Sequence, residues 1–320
     1  MDLVYADKNK IDVGVLLDFS FDLAFGSGEN DFVLEVSTEN NVCNEDYLVY
    51  IEGTEYGGIV DAIEVDSANR LIKYKGRTWH GILNSKVIQP DSGADYYTVS
   101  GDCNTIIGNL ISRLSLGSLF RVVSESSGIS VSNYKFRRYT LAYDGLLNML
   151  ESVDAKLHIE YTVDGFVELS AIPAVNYADD ELDSDHISFT ISKTFNPINH
   201  LVCLGQGELR DRTVIHLYCD ARGNISTSQT FTGLDEYMAV YDYPNVESAE
   251  ELETEGRKHL KELNGSDTID VDLDDTYSFD IGDILQAVDV VTGISVTRRV
   301  TKKIVKIDKN IVNVNYKVGE

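Results

Sequence analysis

Basic side chains are scarce in this chain: 27 Lys and Arg stand against 53 Asp and Glu, a formal net charge of -26. A protein so poor in cations is no general binder of nucleic acid or of anionic membranes, since both need phosphates neutralised by Lys and Arg. Long apolar runs are missing as well. Nowhere do eighteen apolar residues pass without a charge, and MDLVYADKNKIDVGVLLDF at the N-terminus has no basic segment leading into an apolar one. The sequence therefore reads as soluble and unexported, with no direct membrane insertion. The few cysteines, Cys43, Cys103, Cys203 and Cys219, are widely spaced with no CxxC pair. That spacing suggests neither a zinc site nor a disulfide framework and favours reduced, partly buried thiols.

Catalytic signatures are also lacking. There is no GxSxG elbow, no P-loop and no HExxH, and the six histidines, His80, His158, His186, His200, His216 and His259, have no i, i+4 partner. GQGELR, Gly205 to Arg210, begins like a dinucleotide fingerprint without the third glycine; between apolar runs at Leu201 to Leu204 and Thr213 to Tyr218 it reads as a β-turn or bulge. The acidic run Asp270 to Asp283 lacks the ligand spacing of an EF-hand loop and reads as a solvated strand and turn. With so many acids, no carboxylate pair can be singled out for glycoside hydrolysis. No catalytic, metal or cofactor-binding residue is assigned, and no enzyme activity or cofactor is expected.

What is present is mostly β patterning. Apolar and polar residues alternate in Val13 to Phe25, Phe32 to Val36, Tyr47 to Ile51, Ile59 to Val65 and Leu71 to Tyr74, which predicts half-buried antiparallel strands. Three segments carry helical spacing instead, around Ile106 to Leu114, Tyr143 to Val153 and Val246 to Leu263. Ser100 or Asp102, Thr140 and Asn245 are their expected N-caps, and Gly117 and Gly265 the left-handed residues expected after the first and third. In YKGRTWHGILNSKVIQP, Tyr74 to Pro90, Gly76 permits a turn and Thr78 can cap. Trp79, Leu83 and Val87 then recur on one helical face until Pro90 stops it. Trp79, the single tryptophan, is expected to anchor a strand-to-helix junction in the core, with Arg77 and His80 as rim or interface groups.

Two distant stretches share a pattern. IEVDSANRLIKYKG, Ile63 to Gly76, and VKIDKNIVNVNYKVG, Val305 to Gly319, each place an aspartate after an apolar residue, Asp66 and Asp308, turn through Asn, and close with Tyr-Lys at equal spacing, Tyr74–Lys75 and Tyr316–Lys317. The Asp and Asn residues suit hairpin turns because they tolerate a left-handed backbone, and the tyrosines face one side of each sheet. Together with a length of 320 residues, this predicts a mainly β protein with α+β insertions. Its expected parts are an N-terminal β-barrel domain over 1–98 with a short helix at 78–88, an α+β middle domain over 99–195 with two helices, and a second, similar antiparallel β-barrel over 196–320 with a helix at 246–263.

YGGIVDAIEVD, YKGRTWHGILNSKVIQP, KFRRYTLAYDGLLNML, NHLVCLGQGELRDRTVIHLY and YSFDIGDILQAVDVVTGISV, with NYKVGE at the end, resemble the siphovirus-type tail proteins of phages and prophages of Gram-positive bacteria, in order from about Tyr56 to Glu320. The resemblance implies a tail-hub-like fold and a structural role as a baseplate hub. Such a hub is a homotrimeric ring joining a six-fold tail tube or distal tail protein to a three-fold central spike or tip protein, in a virion tail assembled in the bacterial host cytoplasm. It implies no catalytic residues. Two look-alike barrels per protomer would let three copies offer six similar surfaces. An acidic lumen would repel passing DNA rather than bind it specifically. Two other readings are a host-surface or carbohydrate-binding tail protein, stacking sugars on Trp79 and on Tyr237 to Tyr243, and a tail-associated peptidase.

Overall fold

The computed structural model describes residues 2–183, 189–244, 246, 248–265, 267–274, 278–309 and 311–319. His186 and the expected cap Asn245 lie outside the described residues.

The fold is mainly β with four α-helices among the described residues. Its largest sheet joins the two ends of the chain. The strand Ser20–Gly26 pairs antiparallel with Asp31–Ser37 on one side and with the long strand Ser295–Asp308 on the other, setting Phe21 opposite Ile307 and Phe25 opposite Lys303. Thirteen described strands belong to this sheet, whose hydrogen-bonded order runs from Phe189–Ser192 at one edge to Asp12–Leu16 at the other without closing on itself. Phe21, Phe25, Phe32 and Leu34 from one end and Val305, Ile307, Val314, Tyr316 and Val318 from the other bury one shared core. A second core holds Trp79 and the middle of the chain, and a third lies between a four-stranded sheet and the last helix.

The predicted alternation over Val13 to Phe25 is interrupted. Asp12–Leu16 and Ser20–Gly26 are separate strands, and in the first of them Val13 and Val15 point outward while Leu16 is buried.

Helix α1, Trp79–Asn84, is shorter than the expected 78–88 because Val87 and Ile88 pair with Leu141 and Thr140 as a short ladder before Pro90. Thr78 caps it as expected, its hydroxyl accepting from Gly81 N at 3.3 Å. For α2, Cys103–Arg113, the cap is Asp102, whose carboxylate accepts from the Asn104 and Thr105 amides, while Ser100 accepts from Asn133 N instead. Burial opposes the Asp102 charge, but hydrogen bonds from Ser126, Ser127 and the two amides outweigh it and hold the carboxyl below its ordinary value. Asp102→Ala should cost about 1 kcal/mol in a urea titration, the usual worth of an N-cap.

Other helix ends differ from expectation. The left-handed residue after α2 is Ser115 (φ 58°), not Gly117. The residue preceding α3, Ala142–Glu151, is Leu141 and no side chain caps it; Thr140 is held in the ladder with Ile88. Helix α4, Ala249–Asn264, starts at Ser248, whose hydroxyl accepts from Glu251 N at 3.1 Å, and ends on Gly265 at φ −90°, outside the left-handed region.

Both hairpins form, with different turns. Four residues separate the paired Asp66 and Leu71, but two separate Asp308 and Ile311, and among the described turn residues the left-handed ones are Arg70 and Lys309. Tyr74 and Tyr316 nevertheless enter the same core and do the same work. The Tyr74 hydroxyl accepts from the Val42 and Cys43 amides at 3.0 and 3.3 Å, and the Tyr316 hydroxyl accepts from Phe279 N at 3.2 Å. Each tyrosine ties a loop to its sheet by satisfying buried backbone donors.

All four cysteines are free and buried. Burial pushes the Cys43 thiol up to about 12 and Cys203 to about 11. Since the thiolate is the reacting form, none of the four should react with a disulfide reagent at pH 8 in the native protein, and all four should react in guanidinium.

Candidate functional site

The ionisable groups that converge most tightly do so where the chain ends meet the middle of the fold. Glu55 lies in the connection between the strands Leu48–Tyr50 and Gly57–Asp66, His80 in α1, and Lys303 in the long strand Ser295–Asp308. Lys303 Nζ donates to Glu55 Oε1 at 2.7 Å, and His80 Nε2 stands 3.3 Å from Glu55 Oε2. Facing a carboxylate, Nε2 is the ring nitrogen that carries the proton.

A second buried lysine extends the cluster. Lys156, in the strand Ala155–Tyr161, donates to Asp280 Oδ2 at 2.7 Å and to Asp283 Oδ2 at 2.9 Å. Asp283 also accepts from the Val175 and Asp280 amides at 2.8 and 2.9 Å, and Asp280 Oδ1 comes within 3.9 Å of Lys303. The expected solvated acidic run thus ends in a fully buried aspartate. Burial alone would raise the Glu55 carboxyl, but Lys303 and His80 outweigh it and hold it well below the usual carboxylate range. Burial likewise opposes the Lys303 charge, and Glu55 with the neighbouring phenols more than compensates, holding it above its ordinary value. Lys156 is raised too, its two aspartates outweighing burial.

A cavity of about 170 Å³ borders this cluster, lined in part by Glu55, Tyr56, His80, Tyr143, His158 and Asp280. Each lysine there is bound to a carboxylate; Glu55 accepts from Lys303 and faces His80, and Asp283 accepts from Lys156 and from the Val175 and Asp280 amides. The arrangement fastens together the connection at Glu55, α1, the strand Ala155–Tyr161, the stretch Asp280 to Asp283 and the strand Ser295–Asp308; it offers neither a thiol nor a serine beside a base. Among the described residues no group of three or more His, Cys, Asp or Glu side chains is placed to hold a metal ion.

Trp79 is fully buried, stacked on Tyr161 at 5.5 Å between ring centres, and Tyr161 stacks on Tyr50 at 3.8 Å. It is the expected core anchor and presents no face to a sugar. Arg77 sits at the rim, paired with Asp61 at 2.7 and 2.8 Å. His80 does not: it is buried against Phe25 and Tyr143, which corrects its reading as a rim group. Its inward position follows from α1 packing against both the large sheet and α3.

A contact that spacing along the chain did not reveal joins two histidines. His200 and His216 sit on the paired strands His200–Leu204 and Val214–Cys219, and His200 Nε2 lies 2.8 Å from His216 Nδ1 while its Nδ1 lies 2.7 Å from Glu236 Oε1. Sixteen residues apart, they meet only through the register of this hairpin, whose loop is the GQGELR stretch, closed by Thr213 N donating to Gln206 O. Of the tyrosines from Tyr237 to Tyr243, Tyr241 and Tyr243 pack against the third core.

A wider groove of about 1120 Å³ runs between α3 and α4, bridged by Tyr96 to Glu251 and Arg137 to Glu255. No helix among the described residues is long and apolar enough to cross a membrane.

No protein-family model matches the chain, and no curated protein matches it. Solved structures do. A tail protein from Neisseria meningitidis matches with a TM-score of 0.57 at 12% identity, covering 100% of this chain and 96% of that one. A prophage tail protein from Listeria monocytogenes matches with 0.55 at 13% identity, covering 99% and 94%. The 43 kDa tail protein of prophage MuSo2 from Shewanella oneidensis matches with 0.60 at 11% identity, covering 99% and 98%. From end to end, the chain shares its fold with phage and prophage tail proteins.

Proposed function

We propose that the chain is a structural component of a phage or phage-derived tail, a baseplate hub that forms a homotrimeric ring between a six-fold tail tube or distal tail protein and a three-fold spike or tip. The observation that carries this reading is the fold likeness over 99–100% of the chain to three tail proteins of bacterial prophages or tails. The sequence resemblance favours a siphovirus-type protein of Gram-positive phages.

In this reading the end segments, 1–98 and 196–320, act as two look-alike β modules around the middle segment, 99–195, and three copies present six comparable surfaces to the tube. The equivalent buried hydroxyls of Tyr74 and Tyr316 support that likeness. The cluster around Glu55, Lys303 and Lys156 then serves rigidity, pinning the connection at Glu55 and the strand Ala155–Tyr161 to the sheet that the two ends share. An excess of 53 acidic over 27 basic side chains suits a lumen that DNA crosses without adhering. The reading assigns no turnover and no cofactor.

Light scattering of the purified chain should give the mass of three copies, about 107 kDa from a 35.6 kDa protomer. A monomer at every concentration up to about 100 µM, or hydrolysis of peptidoglycan by the purified chain, would overturn it.

A further inference from the structure

Two outward aliphatic rows involve edge strands of the described sheets. The strand Asp12–Leu16 is the free edge of the large sheet, and on and beside it Ile11, Val13, Val15 and Leu17 are 62%, 52%, 48% and 72% exposed. Natural edges are normally guarded by lysine, proline, a bulge or a covering loop; here the outward row Val13 and Val15 carries no charge. The second row belongs to the four-stranded sheet. Helix α4 covers one face of it through Leu252 and Leu260 against Cys203 and Leu217. On the other face Val214, Met238 and Val240 are 45%, 53% and 64% exposed, and Met238–Asp242 is again an edge strand.

From these rows we infer that the chain self-associates head to tail, the outward row of Asp12–Leu16 on one copy seating against the outer face of Val214, Met238 and Val240 on the next. The inference rests on the ring reading above and names its contact surface. A cyclic trimer needs two different complementary patches on each copy, and these two are different, lie in different sheets, and share the two-residue pitch of a strand.

Size supports a second copy as the occupant. Seven aliphatic side chains exposing on the order of 100 Å² each supply about 700 Å² of apolar area, against about 900 Å² in a standard interface of some 1,600 Å².

The test uses two double variants of the full chain, Val13→Asp with Leu17→Asp, and Met238→Asp with Val240→Asp. All four side chains are already half or more exposed, so melting curves should match the wild type. Each variant alone should be monomeric by mass photometry, its self-association at least about a hundred-fold weaker, because a carboxylate would be buried unpaired. An equimolar mixture should form a dimer containing one of each variant and nothing larger, since only one functional pair of patches remains. A wild-type trimer with both variants also trimeric would overturn this surface and leave the hub reading intact. A wild type that never associates would overturn the hub reading itself. Loss of association in the edge-strand variant alone would show a symmetric contact and also refute the head-to-tail arrangement.

Discussion

Lys303→Met should destabilise the protein by about 3 kcal/mol, and Glu55→Gln by a similar amount, whereas the double substitution should recover at least about 2 kcal/mol of the summed loss. Removing one partner of a buried ion pair strands the other charge away from water, and that desolvation dominates the cost. The pair is nearly shut off from solvent, Lys303 Nζ lying 2.7 Å from Glu55 Oε1 with side-chain exposures of 6% and 18%. Urea midpoints for the four proteins measure the coupling; an additive cycle would show that Glu55 and Lys303 do not stabilise the fold as a pair.

The same four proteins give a pH signature. Glu55 is held below its ordinary value, so its contribution is complete above the unfolded-state value of about 4.3 and is lost as pH falls through the lower folded value. Lys303 is held above its ordinary value, so its contribution is complete below about 10.4 and is lost as pH rises through the higher folded value. The stability difference between wild type and double variant should therefore be level from about pH 5 to 10 and shrink at both extremes. A difference that rises steadily across neutral pH would contradict this assignment.

The second large effect concerns the glycines of GRTWHG. A Cβ at Gly76 would stand 1.8 Å from the Ile59 carbonyl oxygen, and one at Gly81 2.0 Å from the Asn30 carbonyl oxygen. Neither glycine has a positive φ; backbone closeness, not handedness, demands them. Asn30 O has no room to retreat, because it accepts from both the amide and the hydroxyl of Thr78. Gly76→Ala and Gly81→Ala should each cost about 3 kcal/mol, the upper range of overpacking. Gly108, inside α2, is the control: its nearest neighbour to a Cβ is Val122 at 3.9 Å, so Gly108→Ala should stabilise by about 0.5–1 kcal/mol through helix propensity. Thermal midpoints moving in the same direction for all three would refute this account.

Strands in the first part of the chain, the three longer helices and the role of Trp79 were legible because each is set by local periodicity. The hairpin tyrosines were legible as a pair, though not their hydroxyl contacts, which reach loops 31 or more residues away in sequence. The join between Ser20–Gly26 and Ser295–Asp308 was not legible: nothing local ties residues some 280 apart. The Glu55–Lys303 pair was hidden among 53 acids, yet a signal existed. Lys303, Val305 and Ile307 occupy successive inward positions of one strand, and a lysine in an inward register implies a buried anion beside it. The His200–His216 contact depends on hairpin register, which the GQGELR turn fixes only once its geometry is known.

The union of both chain ends in one sheet governs how the protein is made on the ribosome. Phe21, Leu23 and Phe25 are translated early, but their neighbours Lys303, Val305 and Ile307 emerge only after some 280 further residues. Until then the edge of Ser20–Gly26 that pairs with Ser295–Asp308 has no native partner. Contacts this distant raise contact order and slow folding, so partly synthesised chains should depend on holdase chaperones until the hairpin of Ser295–Asp308 and Ile311–Val318 arrives.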